Sequence, residues 1–217
     1  HTAGSNNDYG QLGQAGATNF ASLSASGSLS GKVVTQITAG AYHTVVLTSL
    51  SLVISFGSND KGQLGYAGAN QVTPATVSVS NSGTIVKVSS GYFHSCALAS
   101  TGILYCWGSS LFGENGQTSS SSTPSAATAL NTNSRFVSDF VCAGQYTLVL
   151  GDDNNVLGMG LSAGALLGDS TSSIYFSSSA YGSPTLLDKT NMVTDAPISL
   201  LTSGPSGTFI GTPSTVS

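Results

Sequence analysis

A short glycine-rich turn returns four times along this chain at a nearly constant interval: Gly10-Gln11-Leu12-Gly13, Gly62-Gln63-Leu64-Gly65, Gly113-Glu114-Asn115-Gly116 and, degenerated, Gly164-Ala165-Leu166-Leu167-Gly168. Successive first glycines lie 52, 51 and 51 residues apart. Self-similarity on that scale marks supersecondary units that bury their faces against one another, so the period constrains the fold before any single residue is read. It points to a β-propeller.

A second landmark keeps the same phase. An apolar run ends in Ala/Ser-Gly and resumes after an aromatic residue in Ile37-Thr38-Ala39-Gly40-Ala41-Tyr42-His43, in Val88-Ser89-Ser90-Gly91-Tyr92-Phe93-His94 and in Val141-Cys142-Ala143-Gly144-Gln145-Tyr146. Each copy opens a hairpin pattern. In the clearest one, Ser95 to Ala99 and Ile103 to Trp107 flank Ser100-Thr101-Gly102, with Gly where a left-handed residue is wanted. Thr44 to Leu47 with Leu52 to Phe56, and Thr147 to Leu150 with Val156 to Met159, repeat the pattern. A Ser/Thr-rich loop and a proline follow each hairpin (Pro74, Pro124 or Pro184), as suits a blade connection or edge strand.

These residues resemble the regulator-of-chromosome-condensation repeat family, whose blades carry Gly-x-x-His-(Ser/Thr)-x-x-Leu, a hairpin ending in Trp-Gly, and then Gly-Gln-Leu-Gly. Gly91 to Gly116, including Trp107-Gly108, matches best; Gly40 to Gly65 has Phe56-Gly57 in place of Trp-Gly. The resemblance implies an all-β propeller of about 51-residue repeats. Three full blades and partial blades at both ends are expected, which is about four blades or an arc of the seven-bladed ring usual in the family. The units run 1–31 (partial), 32–82, 83–134, 135–192 and 193–217 (partial), within one domain. The repeat-structural positions are Gly40, His43, Gly62, Gly65, Gly91, His94, Trp107, Gly113 and Gly144. Both ends look cut inside a unit, so either further sequence or neighbouring molecules would complete the ring.

Charge narrows the partners. Only 6% of residues are charged and the net charge is −4, with Lys32, Lys61, Lys87, Arg135 and Lys189 the only Lys or Arg residues. That offers no footprint for a phosphate backbone, so nucleic acid is not an expected partner. The longest apolar stretch, Thr44 to Phe56, is short and broken by Ser and Thr, so membrane insertion is not expected either. Weak charge repulsion favours association or solubilising glycans.

Folding the hairpin about Thr101 sets Cys96 opposite Cys106. Directly opposed antiparallel positions bring Cβ atoms about 4.5–5.5 Å apart, within a small adjustment of disulfide geometry. A cross-strand disulfide is therefore predicted, two buried thiols being the alternative, and it would place the chain in an oxidising, extracellular or cell-surface setting. Cys142 has no partner at the equivalent point of its own hairpin and reads as a core residue, or else as one half of an intermolecular bridge.

Candidate chemistry is sparse. His43 and His94 return once per unit, which suits a repeated packing role better than a ligand or acid–base pair. Asp152-Asp153-Asn154-Asn155 lacks the alternate spacing of a calcium loop and reads as a hairpin turn. No cofactor, metal or catalytic set is expected. The run Thr118, Ser119, Ser120, Ser121, Ser122 and Thr123 is a candidate O-glycosylation region, and no Asn-x-Ser/Thr acceptor occurs. The reading that results is a non-enzymatic extracellular structural or interaction module, self-associating into a filament or bound to other extracellular proteins. A monomeric secreted propeller recognising a protein or glycan is the alternative, and the family's nucleotide-exchange role ranks below both.

Overall fold

The computed structural model describes residues 7–16, 27–80, 83–127, 136–153 and 156–161 in full, together with the backbone of short strands at 2–3, 20–21, 185–186, 200–204 and 207–211. The degenerate turn at Gly164 to Gly168, Pro184 and Asn154-Asn155 lie outside the described residues. Strands β1 (Thr2–Ala3) and β2 (Phe20–Ala21) pair with each other and are followed by a 3-10 turn at Gly27–Leu29. Three four-stranded antiparallel sheets come next. The first holds β3 (Val34–Ala39), β4 (His43–Thr48), β5 (Val53–Gly57) and β6 (Gln71–Val77). The second holds β7 (Ile85–Ser90), β8 (His94–Ala99), β9 (Leu104–Gly108) and β10 (Ser121–Ala126), and the third β11 (Val137–Ala143), β12 (Tyr146–Gly151), β13 (Val156–Gly160) and β14 (Thr185–Leu186). Strands β15 (Leu200–Gly204) and β16 (Gly207–Gly211) form a last hairpin.

Each sheet runs in chain order from first strand to fourth, and the first strands β3, β7, β11 and β15 pack on one another in succession. This is the propeller arc expected from the period, with three complete blades and a two-stranded piece on either side. Pro74 and Pro124 fall on β6 and β10, the outermost strands, where a missing N–H leaves no central ladder bond unmade. Every residue of β4, β8 and β12 is buried, because blades cover both faces of these strands.

The core is therefore divided into seams between blades. Val45, Leu47, Val53 and Val77 of the first blade meet Ile85, Val88, Ala97, Tyr105 and Trp107 of the second. Cys96, Leu98, Leu104 and Cys106 of the second meet Val137, Phe140, Val149 and Met159 of the third. Alternation along β8 decides the split: residues 96 and 98 turn to one neighbour, 97 and 99 to the other. Cys96 pairs directly with Cys106 in the ladder, and the two form a disulfide with Cα atoms 4.1 Å apart. Cys142 is a buried thiol in the same seam, 3.6 Å from Thr147 Oγ1, and burial pushes its pKa up to about 12.

Polar groups stitch the seams as well. Ser95 Oγ donates to the Gln63 carbonyl at 3.1 Å and meets His43 Nε2 at 2.8 Å. One seam along, Thr147 Oγ1 donates to the Glu114 carbonyl at 2.8 Å and meets His94 Nε2 at 2.8 Å. Thr44 Oγ1 likewise donates to the Gln11 carbonyl at 2.9 Å. A hydroxyl of one blade is thus gripped by the imidazole and the glycine-turn carbonyl of the blade before it.

Two outcomes are expected. Ser95→Ala strands a buried imidazole N–H and leaves the Gln63 carbonyl one donor short, so urea denaturation should show a loss of about 1–3 kcal/mol. The double change Cys96→Ser with Cys106→Ser should lower stability by about 2–3 kcal/mol in the same assay, the size expected for a short cross-linked loop.

Candidate functional site

In an antiparallel meander the first turn and the third connection of each blade share one end. Backbone bonds fix that end here: Ser58 N–H to the Tyr42 carbonyl and Ser109 N–H to the Phe93 carbonyl, both 2.8 Å, and Leu161 N–H to the Gln145 carbonyl at 2.9 Å. The glycine turns are tied internally. Asn59 Oδ1 accepts from Leu64 N–H at 3.0 Å, and Gln63 Oε1 accepts from Lys61 N–H at 2.8 Å. Asn7, Gln11 and Glu114 repeat these bonds in their own turns. With its side chain anchored two residues back, Gln63 holds its own carbonyl toward the next blade.

That carbonyl takes a second donor, since Trp107 Nε1 donates to it at 2.8 Å. Gly65 makes the approach possible: it has φ +81°, and a Cβ there would lie 3.0 Å from Trp107 Nε1 and 2.6 Å from Val77. Gly40 and Gly91 serve the imidazoles, because a Cβ on either would overlap the ring of His43 or His94. In the third blade Tyr146 replaces histidine, and its ladder partner is Ala143. The register thus sets Ala143, not Gly144, at the place of Gly40 and Gly91, and Gly144 is a turn residue with φ +25°. Gly62 and Gly113, with φ of 78° and 80°, open the second and third glycine turns.

The clamp hydroxyls settle the histidine tautomers. A serine or threonine has one proton, and here it goes to the glycine-turn carbonyl, so Nε2 of each imidazole must be the donor. Nδ1 is then the bare nitrogen, buried in both rings and without a hydrogen-bond partner. Burial lowers the pKa of His43 to about 4 and that of His94 to about 3, the latter helped by repulsion from His43. Both rings are neutral at physiological pH and committed to the seam. Among the described residues no group of three or more His, Cys, Asp or Glu side chains could hold a metal ion.

What this end offers to solvent is aromatic. Tyr9 packs on Tyr42 with ring centroids 5.0 Å apart, Tyr42 on Phe93 at 6.5 Å, and Phe93 edge-on to Tyr92 at 6.4 Å. Tyr42 is 41% and Tyr92 52% exposed. The row crosses blades, and the turns that carry it are bonded in series, Ala41 N–H to the Tyr92 carbonyl and Tyr92 N–H to the Gly144 carbonyl. Those main-chain groups are used up, so this end presents ring faces and phenol hydroxyls rather than main-chain groups open to strand addition. The row escapes a sequence reading because its members come from different turns and meet only once the blades stack. Asp8, Asp60 and Lys61 are exposed on the neighbouring glycine turns. Thr118, Ser119 and Ser120 are exposed in the loop into β10; on β10 itself Ser121 and Ser122 are half-buried and Thr123 is exposed. Ser120 Oγ is occupied by the Ser110 N–H and Ser121 Oγ by Thr123.

Comparison with known proteins follows the same residues. The regulator of chromosome condensation (RCC1) repeat matches residues 34–63 and 85–117, and again 52–98. A Dictyostelium discoideum bifunctional serine/threonine-protein kinase/NEDD4-like E3 ubiquitin-protein ligase is 31% identical over 157 residues, 65% of this chain and 8% of that protein. The Arabidopsis thaliana ultraviolet-B receptor UVR8 is 26% identical over 161 residues, 74% of this chain and 37% of the receptor. Among solved structures, human WBSCR16 superposes with TM-score 0.73 at 22% identity, covering 94% of this chain and 52% of that one. Yeast RCC1, solved bound to Kap60, superposes with TM-score 0.71 at 18% identity, covering 94% and 47%. The chain spans about half the length of these structures and a smaller share of the curated relatives. The regulator of chromosome condensation repeat is thus matched over residues 34–117, and the blades superpose on solved structures of the same propeller fold.

Proposed function

We propose that the chain is a non-enzymatic protein-interaction module of an oxidising, extracellular or cell-surface setting, and that it docks its partner through the row Tyr9, Tyr42, Phe93 and Tyr92. The observation that carries this reading is the row itself. Exposed aromatic rings on a rigid scaffold supply large contact area at small entropic cost and are the residues in which interface energy concentrates. Relatives support an interaction role: the repeat occurs in a plant photoreceptor and in ubiquitin-ligase chains, and yeast RCC1 was solved in complex with Kap60. The setting is supported by the Cys96–Cys106 disulfide. Exposed Thr118 and Ser119 are the hydroxyls best presented for O-linked sugar.

Self-association is a second reading, favoured by β3. Val34 and Ile37 are 46% and 56% exposed, whereas their counterparts Ile85 and Val88 of β7, and Val137 and Phe140 of β11, are at most 7% exposed beneath the preceding blade. A further blade fits that face, and a second copy could supply it in head-to-tail contact, which generates rings or filaments.

Two measurements separate these readings. Under the docking reading, Tyr42→Ala and Tyr92→Ala each weaken capture of a cross-linked partner about tenfold or more, about 1.4 kcal/mol, while Leu50→Ala at the opposite end of the blade does not. Equal capture by all three variants would sink it. Under self-association, light scattering shows a mass that rises with concentration and returns to the monomer in Ile37→Lys; a constant 21.7 kDa at every concentration excludes it.

A further inference from the structure

The aromatic row and the histidine clamps share the same turns. Tyr42 directly precedes His43 and Phe93 directly precedes His94. We infer that the two clamps form an acid-operated latch on this face: the charge that a clamp imidazolium brings into the buried seam drives the clamp apart from the hydroxyl of the next blade, loosens the turns that carry the row, and so weakens the row's grip on its protein partner. This deepens the docking reading above and rests on it.

The geometry supplies the device. Each clamp already uses its Nε2 proton on a hydroxyl whose own proton is spent on a carbonyl, so the only atom left to protonate is the buried, partnerless Nδ1. An imidazolium would have to bring a second N–H into a buried seam against the backbone of Gly40 or Gly91. The few titratable and charged groups packed nearby do not offset that charge. His43 and His94 repel one another if charged. The Glu114 carboxylate is turned to the Phe112 N–H, Cys142 stays a thiol, and Lys87 and Asp139 are paired with each other between β7 and β11. Because the turns are bonded in series from Ala41 to Tyr92 to Gly144, a displacement at one clamp reaches its neighbours.

The sign follows from linkage. Both imidazoles have a pKa lowered in the closed form, so the closed form is favoured above the ordinary histidine value and loses ground as pH falls below it. The open form takes up protons near pH 6.5, and the closed-to-open ratio falls about tenfold per histidine for each unit below that, down to about pH 4 for His43 and about pH 3 for His94.

Trp107, the single tryptophan, reads the latch without any partner, since it donates to the same Gln63 carbonyl as Ser95. Between pH 6.5 and 4 its emission should shift to the red and the dye 8-anilinonaphthalene-1-sulfonate should bind, while the far-UV β signal persists. The double change His43→Gln with His94→Gln should keep the emission flat over that range. In the unaltered chain, hydrogen exchange corrected for intrinsic rate should speed up at the Ala41 and Tyr92 amides and stay slow at Ile54 in the middle of β5, which tests the idea even if the double variant fails to fold. Loss of the β signal in the same step as the Trp107 shift, or no change at the Ala41 and Tyr92 amides, overturns the latch and leaves the docking reading standing. A latch that opens on schedule while Tyr42→Ala and Tyr92→Ala capture partner normally overturns the docking reading instead.

Discussion

The arc depends on a hydroxyl group held from two sides. In a propeller the sheets do not share ladder hydrogen bonds, so blades could slide across one another on apolar contacts alone. Ser95 and Thr147 prevent that. Each gives its proton to a carbonyl of the preceding blade and takes one from that blade's imidazole, which ties direction as well as distance. Burial makes these bonds strict, because a group left unmatched there cannot turn to water. Most of the repeat signature serves this contact: the Gln side chain aims its carbonyl, the flanking Asn closes the turn, and the glycine beneath each imidazole makes room for the ring.

Apolar packing then acts within a frame already in register. The three seams differ in how they are furnished. Trp107 doubles the bond to Gln63 in one, the disulfide and Cys142 fill the next, and Leu29, Val46, Ile54 and Phe56 close the face of the first blade on its other side. Side-chain bonds between first strands add to this: Gln36 Oε1 accepts from Val88 N–H at 3.0 Å, and Ser89 Oγ accepts from Cys142 N–H at 2.9 Å. Lys87 reaches Asp139 while its ammonium lies 5.5 Å from the centre of the Phe140 ring.

Much of this was legible in the chain because it is local. The period located the blades, and symmetry about Thr101 paired Cys96 with Cys106. The clamps were half legible: recurrence of His43 and His94 spoke for a structural part, but their partners lie 52 and 53 residues away in another repeat. Replacement of histidine by Tyr146 hid the register in the third blade, so Gly144 read as the counterpart of Gly91 when Ala143 holds that place. The aromatic row was not legible at all. Tyr9 belongs to a glycine turn and Tyr42 to a strand turn, and no spacing rule joins them before the blades are stacked.

The double grip on each hydroxyl has a consequence for how such a chain can grow. Donor and acceptors sit in different repeats, but the first and second blades each carry both halves, so either one copied with its own borders intact meets matching halves on both sides. A stretch that begins within one blade and ends at the same point of the next, such as Gln63 to Glu114, keeps each half beside a suitable counterpart on insertion. What an added blade must match is therefore the joint between blades, a hydroxyl on one side and an imidazole with a main-chain carbonyl on the other, set some fifty residues apart in the chain.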